Sequence, residues 1–557
     1  MNKLLMMFCA SILLTSCAVI FDDDETSVNG CEIETSYIAI NLMAADPDTR
    51  ADEQQEPAKE YQDGLTQERA VKTAYFFFFQ NGQPFPVTVT DGSVTAPGAT
   101  AGANFLSASL TTSSTNASAN ISDLSNVVLL LRNYKGQYPN QIVAVLNWVP
   151  ESGMSYTLEE LKAAVYVQST MDSQKYFVMS NAVYADAAGQ AVTTTPLSIA
   201  NIFTKEADAK SHPIQIYVER AAAKVTVTAP AEKKFDISKN VNSVKAYAQL
   251  TGWELYNDYS QSYLLKQIDP KWTVENIGFN WNDKEFYRSY WAISPEQTLT
   301  GNTFTWNGGS SFGLSTNVNS GTYISNTYVY CGENTTSDAE KRTKVILKAK
   351  LVKENGEAIE LARWYGTDYL GESALLTAVA NTLKNSYYNK AVGESGYTSI
   401  APEDLMCVVG GGTDAPGGVD ATEVYFQLSK TGAAKTWYEY SSAGGYTAVT
   451  VTVLNGKLKS VPSAVVYKNG QTYYYFDIKH LGAAGKAAEY GIVRNHIYSI
   501  NINSITGFGS PVYNNTANIE TPKYPEFPNE NGSFVSAQVN ILSWRMVSQG
   551  VDITPGN

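Results

Sequence analysis

Histidine and cysteine are the residues most able to do chemistry in this chain, and both are scarce. The 557 residues include three histidines, His212, His480 and His496, which lie far apart and in no metal-spaced pair such as HExxH. A metal site or a Ser-His-Asp triad would need the fold to bring distant residues together, and we expect neither. The glycine-rich stretch 410–418 lacks the Lys-Ser/Thr ending of a phosphate-binding loop, so we expect no cofactor.

The five cysteines divide between the leader and the body of the chain. Cys9 and Cys17 lie in the apolar leader, and Cys31, Cys331 and Cys407 remain without a CxxC spacing. This spacing disfavours a structural zinc site. A disulfide between Cys331 and Cys407 is conceivable, but two buried thiols are the preferred interpretation.

The N-terminus, MNKLLMMFCASILLTSC, carries one lysine, an apolar run and then Leu14-Thr15-Ser16-Cys17. This pattern resembles a bacterial lipobox, in which the leader is cut before the cysteine and the thiol then carries diacylglycerol. The alternative is a plain secretory signal in which Cys17 is incidental. The apolar run is too short to span a bilayer, so we expect a precursor anchored at Cys17 by lipid.

A strand follows an acidic spacer after the leader. Ile38, Ile40 and Leu42 alternate with polar or small residues, which is the period of a half-buried strand. The stretch Asp46-Pro47-Asp48 ends this strand. The sequence therefore predicts a first strand before a long polar segment.

The polar segment offers a candidate cleavage site. Arg50 and Ala51 stand at its start, ahead of DEQQEPAKEYQDG, and loops with small polar residues are where proteolytic nicking concentrates. Arg69 is a second candidate. It is less attractive because it abuts the strand VKTAYFFFF, so a cut there would leave almost no flexible lead-in.

The last strand of the chain stands on a polar tether. Leu542, Trp544 and Met546 recur at every second position, after the Pro/Asn/Glu-rich stretch PVYNNTANIETPKYPEFPNENG. An apolar strand on such a tether needs a groove. From the pattern alone the groove belongs equally well to its own chain or to another.

Composition favours an all-β extracellular protein. The chain is 44% hydrophobic and 17% charged, with 36 tyrosines, and tyrosine favours strands. The formal net charge of -14 argues against nucleic-acid binding, which needs a basic face. Thr157 to Glu160 form a capping box that opens a short helix, residues 373–385 predict a second helix, and the domain boundary is expected near 230–236.

Several segments together resemble the fimbrillins of Bacteroidales, the subunits of protease-assembled (type V) pili, and most of all the stalk subunits of minor fimbriae. The resemblance spans residues 14 to 553. Its segments are the lipobox, YFFFF, VERAAAKVTV, YVYCGENTT, VRNHIYSININSI and VNILSWRMVSQGVDI. It implies an all-β fold of two transthyretin-like β-sandwich domains with short helical insertions and a C-terminal donor strand.

The resemblance also implies a division of the chain. Residues 1–16 would be the lipoprotein signal peptide and 17–50 a lipidated propeptide with a removable first strand. Residues 51–230 and 231–510 would be the two sandwich domains, and 511–557 the tether and donor strand.

The family's assembly implies a sequence of events for this chain. An Arg-specific protease would cut between Arg50 and Ala51 and remove the strand of Ile38, Ile40 and Leu42. The C-terminal strand of another copy would fill the vacated groove and build a head-to-tail polymer. The donor-strand residues would be Val539, Ile541, Leu542, Trp544 and Met546.

Partners and location follow from the same resemblance. The precursor would sit on the outer membrane and the mature subunit in an extracellular fimbrium that mediates adhesion. Its partners would be other copies of itself, accessory anchor and tip proteins, the protease and surface ligands of host or bacterial cells. No enzyme activity is implied.

Two other classes of function stay open. A non-polymerising surface lipoprotein, such as a tip adhesin or glycan-binding protein, could stack sugars on Trp272, Trp281, Trp291 and Trp306, although such aromatics are more often core residues. A β-sandwich hydrolase would need paired carboxylates, and none stands in a recognisable motif.

Overall fold

The structure is a computed structural model of the 557-residue chain. It describes the ranges given next, and the structural statements below concern these residues. They are 33–44, 61–63, 68, 70–87, 103–108, 119–120, 127–134, 136–167, 176–185, 191–230, 232–257, 259, 261–268, 292–295, 303–305, 328–419, 422–480, 489–513, 518–520 and 534–545. Within them, none of the helices has the length and apolar character needed to cross a membrane.

The first part of the chain forms a nine-stranded sheet around an aromatic core. The strands are β1 (Ile33–Ala44), β4 (Ala74–Gln80), β5 (Gln83–Pro84), β6 (Phe105–Ser107), β8 (Val127–Tyr134), β9 (Gln141–Leu146), β11 (Met179–Asn181), β14 (Thr195–Pro196) and β15 (Ile214–Arg220). They run in the order β5-β4-β9-β11-β15-β1-β8, with β6 on β4 and β14 on β9. The run Phe76 to Phe79 is fully buried, which confirms the predicted aromatic strand.

Local sequence explains the turns around this sheet. Asn81 and Gly82 have φ of 51° and 79°, the left-handed pair that a tight hairpin between β4 and β5 requires. Helix α1 (Leu158–Ala163) begins at Thr157, whose side chain accepts from the Glu160 N–H while the Glu160 carboxylate accepts from the Thr157 N–H. The predicted capping box is confirmed.

Two five-stranded sheets enclose a second core. One sheet holds β2 (Tyr61–Asp63), β36 (Phe534–Arg545), β33 (His496–Thr506), β16 (Ala223–Thr228) and β21 (Tyr328–Cys331), in that order. The other holds β17 (Lys234–Val241), β18 (Val244–Tyr256), β22 (Lys344–Val352), β32 (Gln471–Asp477) and β34 (Ser510–Pro511), also in that order. Buried Val225 and Ile500 from the first sheet and Trp253 and Leu347 from the second belong to one cluster. This arrangement is a β-sandwich.

The part of the chain between β22 and β32 forms a third core. One of its sheets runs β24 (Thr367–Leu370), β23 (Leu361–Trp364), β31 (Ala464–Tyr467), β28 (Glu423–Leu428) and β27 (Leu405–Val409). The other runs β26 (Thr398–Ser399), β25 (Tyr387–Asn389), β29 (Trp437–Ser441) and β30 (Gly445–Val449). Helices α3 (Glu372–Leu383), α4 (Lys430–Ala433) and α5 (Val451–Leu458) accompany them. Leu375, Phe426, Trp437 and Leu454 share this core.

The predicted helical insertion is therefore a unit with sheets and a core of its own. The helix predicted at 373–385 is α3, but the sequence did not reveal the third core. The unit leaves and rejoins the second sandwich at neighbouring points, because β22 and β32 pair directly, with Lys350 opposite Gln471.

The remaining elements are short. They are helix α2 (Glu206–Ser211), the 3-10 turns Ile199–Asn201, Pro402–Asp404 and Lys468–Gly470, and the strand pairs β3 (Ala70–Val71) with β7 (Ala119–Asn120), β10 (Val165–Val167) with β19 (Gln261–Tyr263), β12 (Tyr184–Ala185) with β13 (Ala191–Val192), and β20 (Thr303–Thr305) with β35 (Asn518–Glu520). The all-β class with short helices is confirmed. The chain passes from the first sheet to the second sandwich between Arg220 and Ala223.

Candidate assembly site

Strand β1 fills a slot between two strands of the first sheet. It runs parallel to β15, with Ile40 opposite Ile214, and antiparallel to β8, with Ile38 opposite Leu129. Ile38 and Ile40 are fully buried and Leu42 is 2% exposed. All three belong to the first core, so the predicted alternating strand is present and its alternate residues are core residues.

The neighbouring strand β8 depends on β1. It lies at the end of the described sheet, and β1 is its partner along residues 127–134. If β1 left, β8 and β15 would each lose the backbone hydrogen bonds that they make to β1. Unpaired edges of this kind readily accept another strand.

The last strand, β36, completes a sheet of its own chain. It pairs antiparallel with β33, from Thr506 opposite Phe534 to His496 opposite Ser543. On its other side it pairs parallel with β2, where Tyr61 stands opposite Ser543. In the single chain, the last strand therefore lies in a groove of its own chain. This is one of the two possibilities that the sequence left open.

The register of β36 with β33 places three of the five predicted donor residues. Val539 and Ile541 stand opposite Ile500 and Tyr498, which belong to the second core. Leu542 stands opposite Ile497, which belongs to the first core. The three residues therefore do not all stand opposite the same core.

Glu68 joins the segment ahead of the aromatic strand to the second sandwich. Its carboxylate lies 3.1 Å from Lys224 Nζ on β16 and accepts a hydrogen bond from the Tyr330 hydroxyl on β21. Its carbonyl accepts from Arg220 Nε at 2.9 Å, at the end of β15. Glu68 and Arg220 are fully buried. Burial and the adjoining Glu68 carboxylate raise the pKa of the Tyr330 hydroxyl, which keeps it protonated as a donor.

A second buried ion pair holds the turn that leads into β33. Arg494 Nη2 and Nε lie 3.0 and 3.1 Å from Glu333 Oε2, and both side chains are fully buried. Arg494 Nη2 also donates to the Tyr263 carbonyl at 2.8 Å. These contacts fix the strand against which β36 lies.

The fold brings two of the three histidines together. The rings of His480 and His496 have centroids 5.6 Å apart. His480 Nδ1 lies 3.0 Å from the Tyr498 hydroxyl, and His496 Nδ1 lies 2.7 Å from the Arg494 carbonyl. Across the described ranges, no three His, Cys, Asp or Glu side chains are arranged to hold a metal ion. Cys331 and Cys407 are buried thiols, as the sequence predicted. They belong to different cores.

Several predicted residues fall outside the described ranges. They are Cys17, Arg50, Ala51, Arg69, Met546, Trp272, Trp281, Trp291 and Trp306. Lipidation, cleavage and tryptophan stacking accordingly stay predictions.

Sequence reasoning missed a tyrosine face on the outer sheet of the third unit. Its members are Tyr388, Tyr397, Tyr438, Tyr440 and Tyr446. The rings of Tyr397 and Tyr446 stack with centroids 3.7 Å apart, and Tyr440 and Tyr446 are 42% and 40% exposed. The Tyr440 and Tyr446 rings flank the hairpin YSSAGGY, the one local signal that could have indicated an exposed aromatic surface.

Comparisons with known proteins bear on the C-terminal part of the chain. Residues 465–550 match the family model described as "Major fimbrial subunit protein type IV, Fimbrillin, C-terminal". This range contains β33 and β36 and the tether between them. None of the curated proteins matches the chain.

Three solved structures have chains that are similar to this one over most of its length. A putative cell adhesion protein from Parabacteroides distasonis is 14% identical, over 92% of this chain and 98% of its own, with a TM-score of 0.34. A fimbrilin (fimA) from Porphyromonas gingivalis is 12% identical over 92% and 98%, also at 0.34. The tip fimbrial protein Mfa3 from Porphyromonas gingivalis is 10% identical over 92% and 100%, at 0.28.

The similarity of this chain to fimbrial subunits therefore rests on the matched segment, residues 465–550. That segment is also the one in which the sequence resemblance placed VRNHIYSININSI and the last strand. Through residues 465–550, the chain is similar to the C-terminal part of fimbrillins.

Proposed function

We propose that this protein is a structural subunit of a cell-surface fimbria that polymerises by donor-strand exchange after proteolysis at Arg50. The observation that carries the proposal is the position of β1. This strand is interior, it supplies Ile38, Ile40 and Leu42 to the first core, and it is the partner of the edge strand β8. A strand so placed leaves a two-sided slot when it is removed.

The proposed exchange moves two strands. Cleavage at Arg50 disconnects β1 from the rest of the chain, so that β1 can leave its slot. The last strand of another copy then enters between β15 and β8 and restores the backbone hydrogen bonds. The same surfaces repeat from copy to copy without closing, so a filament results.

The surroundings of Glu68 favour Arg50 over Arg69 as the cleavage site. A cut after position 69 would remove Glu68, and with it the carboxylate beside Lys224 and the carbonyl bonded to Arg220. The residues on both sides of position 69 are also buried, whereas proteases need an extended, accessible segment. A cut at Arg50 keeps the whole cluster in the mature subunit.

The precursor would be held on the outer membrane by lipid at Cys17. Removal of residues 17–50 would release the subunit from this anchor as it opens the slot. Accessory anchor and tip proteins, an Arg-specific protease and surface ligands would be its partners, and the fibre would mediate adhesion.

A surface-binding role, as in a tip adhesin or glycan-binding protein, is the second candidate. The tyrosine face favours it, because exposed tyrosines supply large, rigid contact area at low entropic cost. In that case Tyr440→Ala with Tyr446→Ala would reduce adhesion of the protein to cells and leave its oligomeric state unchanged.

Polymerisation tests the first candidate directly. Purified precursor lacking Cys17 is treated with an Arg-specific protease, and the products are run on SDS gels without boiling. We expect ladders from the wild type and from Arg69→Ala, and none from Arg50→Ala or from a chain ending at Gly532. Ladders from the truncated chain would overturn the donor-strand assignment.

A further inference from the structure

We infer that Tyr61–Asp63, strand β2, is a latch that holds the last strand on its own sheet until the chain is cut at Arg50. The inference rests on the proposed function, and it adds a control step to it. A single cleavage would then both empty the acceptor slot and loosen the donor strand.

The first observation is that β36 is an interior strand. It has β33 on one side and β2 on the other. The pairs on the β2 side are Tyr61 with Ser543, Gln62 with Trp544 and Asp63 with Arg545. Ser543 is thus paired on both sides, and Trp544 and Arg545, beyond the last pair with β33, are held by β2. The last strand therefore cannot leave as a plain edge strand would, because β2 holds its end.

The second observation is that the chain on both sides of β2 is fixed. Upstream, β1 ends at Ala44 inside the first sheet, where it pairs with Val218 of β15. Downstream, Glu68 is fully buried among Lys224, Tyr330 and Arg220. Strand β2 thus lies within a loop whose two ends, Ala44 and Glu68, are anchored, and closure of that loop keeps it near β36.

The third observation is where Arg50 lies in this loop. It stands between Ala44 and Tyr61, so a cut after it releases the upstream anchor and leaves Glu68 as the downstream one. The new N-terminus then gains conformational freedom that the intact loop did not have, and three residue pairs must hold β2 alone. Its pairing with β36 becomes weaker without any contact being changed.

The opposite side of β36 is not affected by the cut. The turn before β33 is held by the buried ion pair of Arg494 with Glu333. Loosening is therefore expected in β2 and at the end of β36, and not in β33.

Hydrogen exchange of the backbone amides tests the latch on monomers, independently of polymerisation. In the wild type, we expect the amides of residues 543–545 to exchange several-fold faster after cleavage at Arg50, and the protease to have no such effect on Arg50→Ala. Tyr61→Pro with Gln62→Pro removes two consecutive backbone donors. This variant should show the fast exchange before any cleavage.

The matched control is Thr398→Pro with Ser399→Pro, which alters another two-residue edge strand, β26, away from β36. It should leave exchange of residues 543–545 at the wild-type rate. Unchanged exchange of residues 543–545 after cleavage, or in the folded Tyr61→Pro, Gln62→Pro variant, would overturn the latch.

A disulfide between β2 and β36 tests the latch if the proline variant does not fold. Tyr61→Cys with Ser543→Cys places two thiols at directly opposed positions. The oxidised, cleaved protein should form no ladder, and a reductant should restore it. Ladders from the oxidised protein would refute the latch. A wild type that never polymerises refutes the proposed function instead, while the exchange data still report on the latch.

Discussion

The carboxylate of Glu68 lies 3.1 Å from the ammonium of Lys224, and both side chains are withdrawn from solvent. The two residues are 156 positions apart in the sequence. Lys224 belongs to β16 of the second sandwich, and Glu68 precedes the aromatic strand of the first sheet. A single ion pair thus ties the chain just after the proposed cleavage segment to the body of the molecule.

Replacement of Glu68 is expected to destabilise the protein strongly. Glu68→Ala leaves Lys224 buried without this carboxylate, and loss of one partner of a buried pair costs about 3–5 kcal/mol. Urea unfolding followed by far-UV circular dichroism measures the change in the free energy of unfolding. Glu159→Ala, an exposed carboxylate of α1, is the control and should change it by less than about 0.5 kcal/mol. Equal effects of the two variants would contradict the role of Glu68.

Truncation of a core residue in β1 should loosen the first sheet. Ile40→Ala removes a fully buried side chain from the first core, and such changes cost about 2–5 kcal/mol. Because β1 is the described partner of β8, the amides of residues 127–134 should lose protection from hydrogen exchange. Asn41→Ala, at a half-buried position of the same strand, should have a clearly smaller effect. If both variants exchange alike, β1 does not hold β8 through its core residues.

The buried pair of Glu254 and Lys348 should make stability depend on pH. Their charged atoms lie 3.5 Å apart between β18 and β22, and both are almost fully buried. Burial raises the pKa of Glu254 from 4.5 to about 7, although Lys348 opposes this shift. Between these two values the native state holds a proton that the unfolded state has lost, so stability falls as the pH rises from 4.5 to 7.

Unfolding in urea at a series of pH values measures this dependence. The expected loss for the wild type is at most about 3 kcal/mol. Glu254→Gln should remove that part of the slope, and Glu159→Gln should retain it. A slope that is unchanged in Glu254→Gln would show that Glu254 does not titrate in this window.

Two glycines of the third unit should respond in opposite ways to alanine. A Cβ at Gly432 would lie 2.2 Å from the Asp404 carbonyl oxygen, whereas a Cβ at Gly456 would have no heavy atom within 4 Å. Gly456 lies inside α5, where alanine is favoured by about 1 kcal/mol. We therefore expect thermal melting to show Gly432→Ala destabilised and Gly456→Ala slightly stabilised. The same sign for both would contradict the described packing.

Strong periodicity was sufficient to predict individual strands. The alternation of Ile38, Ile40 and Leu42 corresponds to β1, and the aromatic run corresponds to β4, because burial of a strand leaves a direct trace in the order of its residues. Helix α1 was predictable for a local reason, since its capping box needs four consecutive residues.

The sequence carries no comparable signal for which strands and side chains become neighbours in the fold. A period of two fixes the faces of β36 but not the strand beside it, so its pairing with β33 and β2 could not be read from the sequence. Glu68 resembles any charged residue of a polar segment, because Lys224 and Tyr330 are 156 and 262 positions away. The third core was hidden because its strands are two to six residues long, which is too short for a clear period.

Lys350 of β22 pairs with Gln471 of β32, and the third unit is inserted between these two residues. The third unit is spliced into a hairpin whose two arms already stand side by side, so a short turn could replace it without shifting the arms relative to each other. Gain, loss or exchange of this unit would then change the surface of the protein and leave the second sandwich unchanged. Variation of the surface and conservation of the scaffold can proceed separately in such a gene.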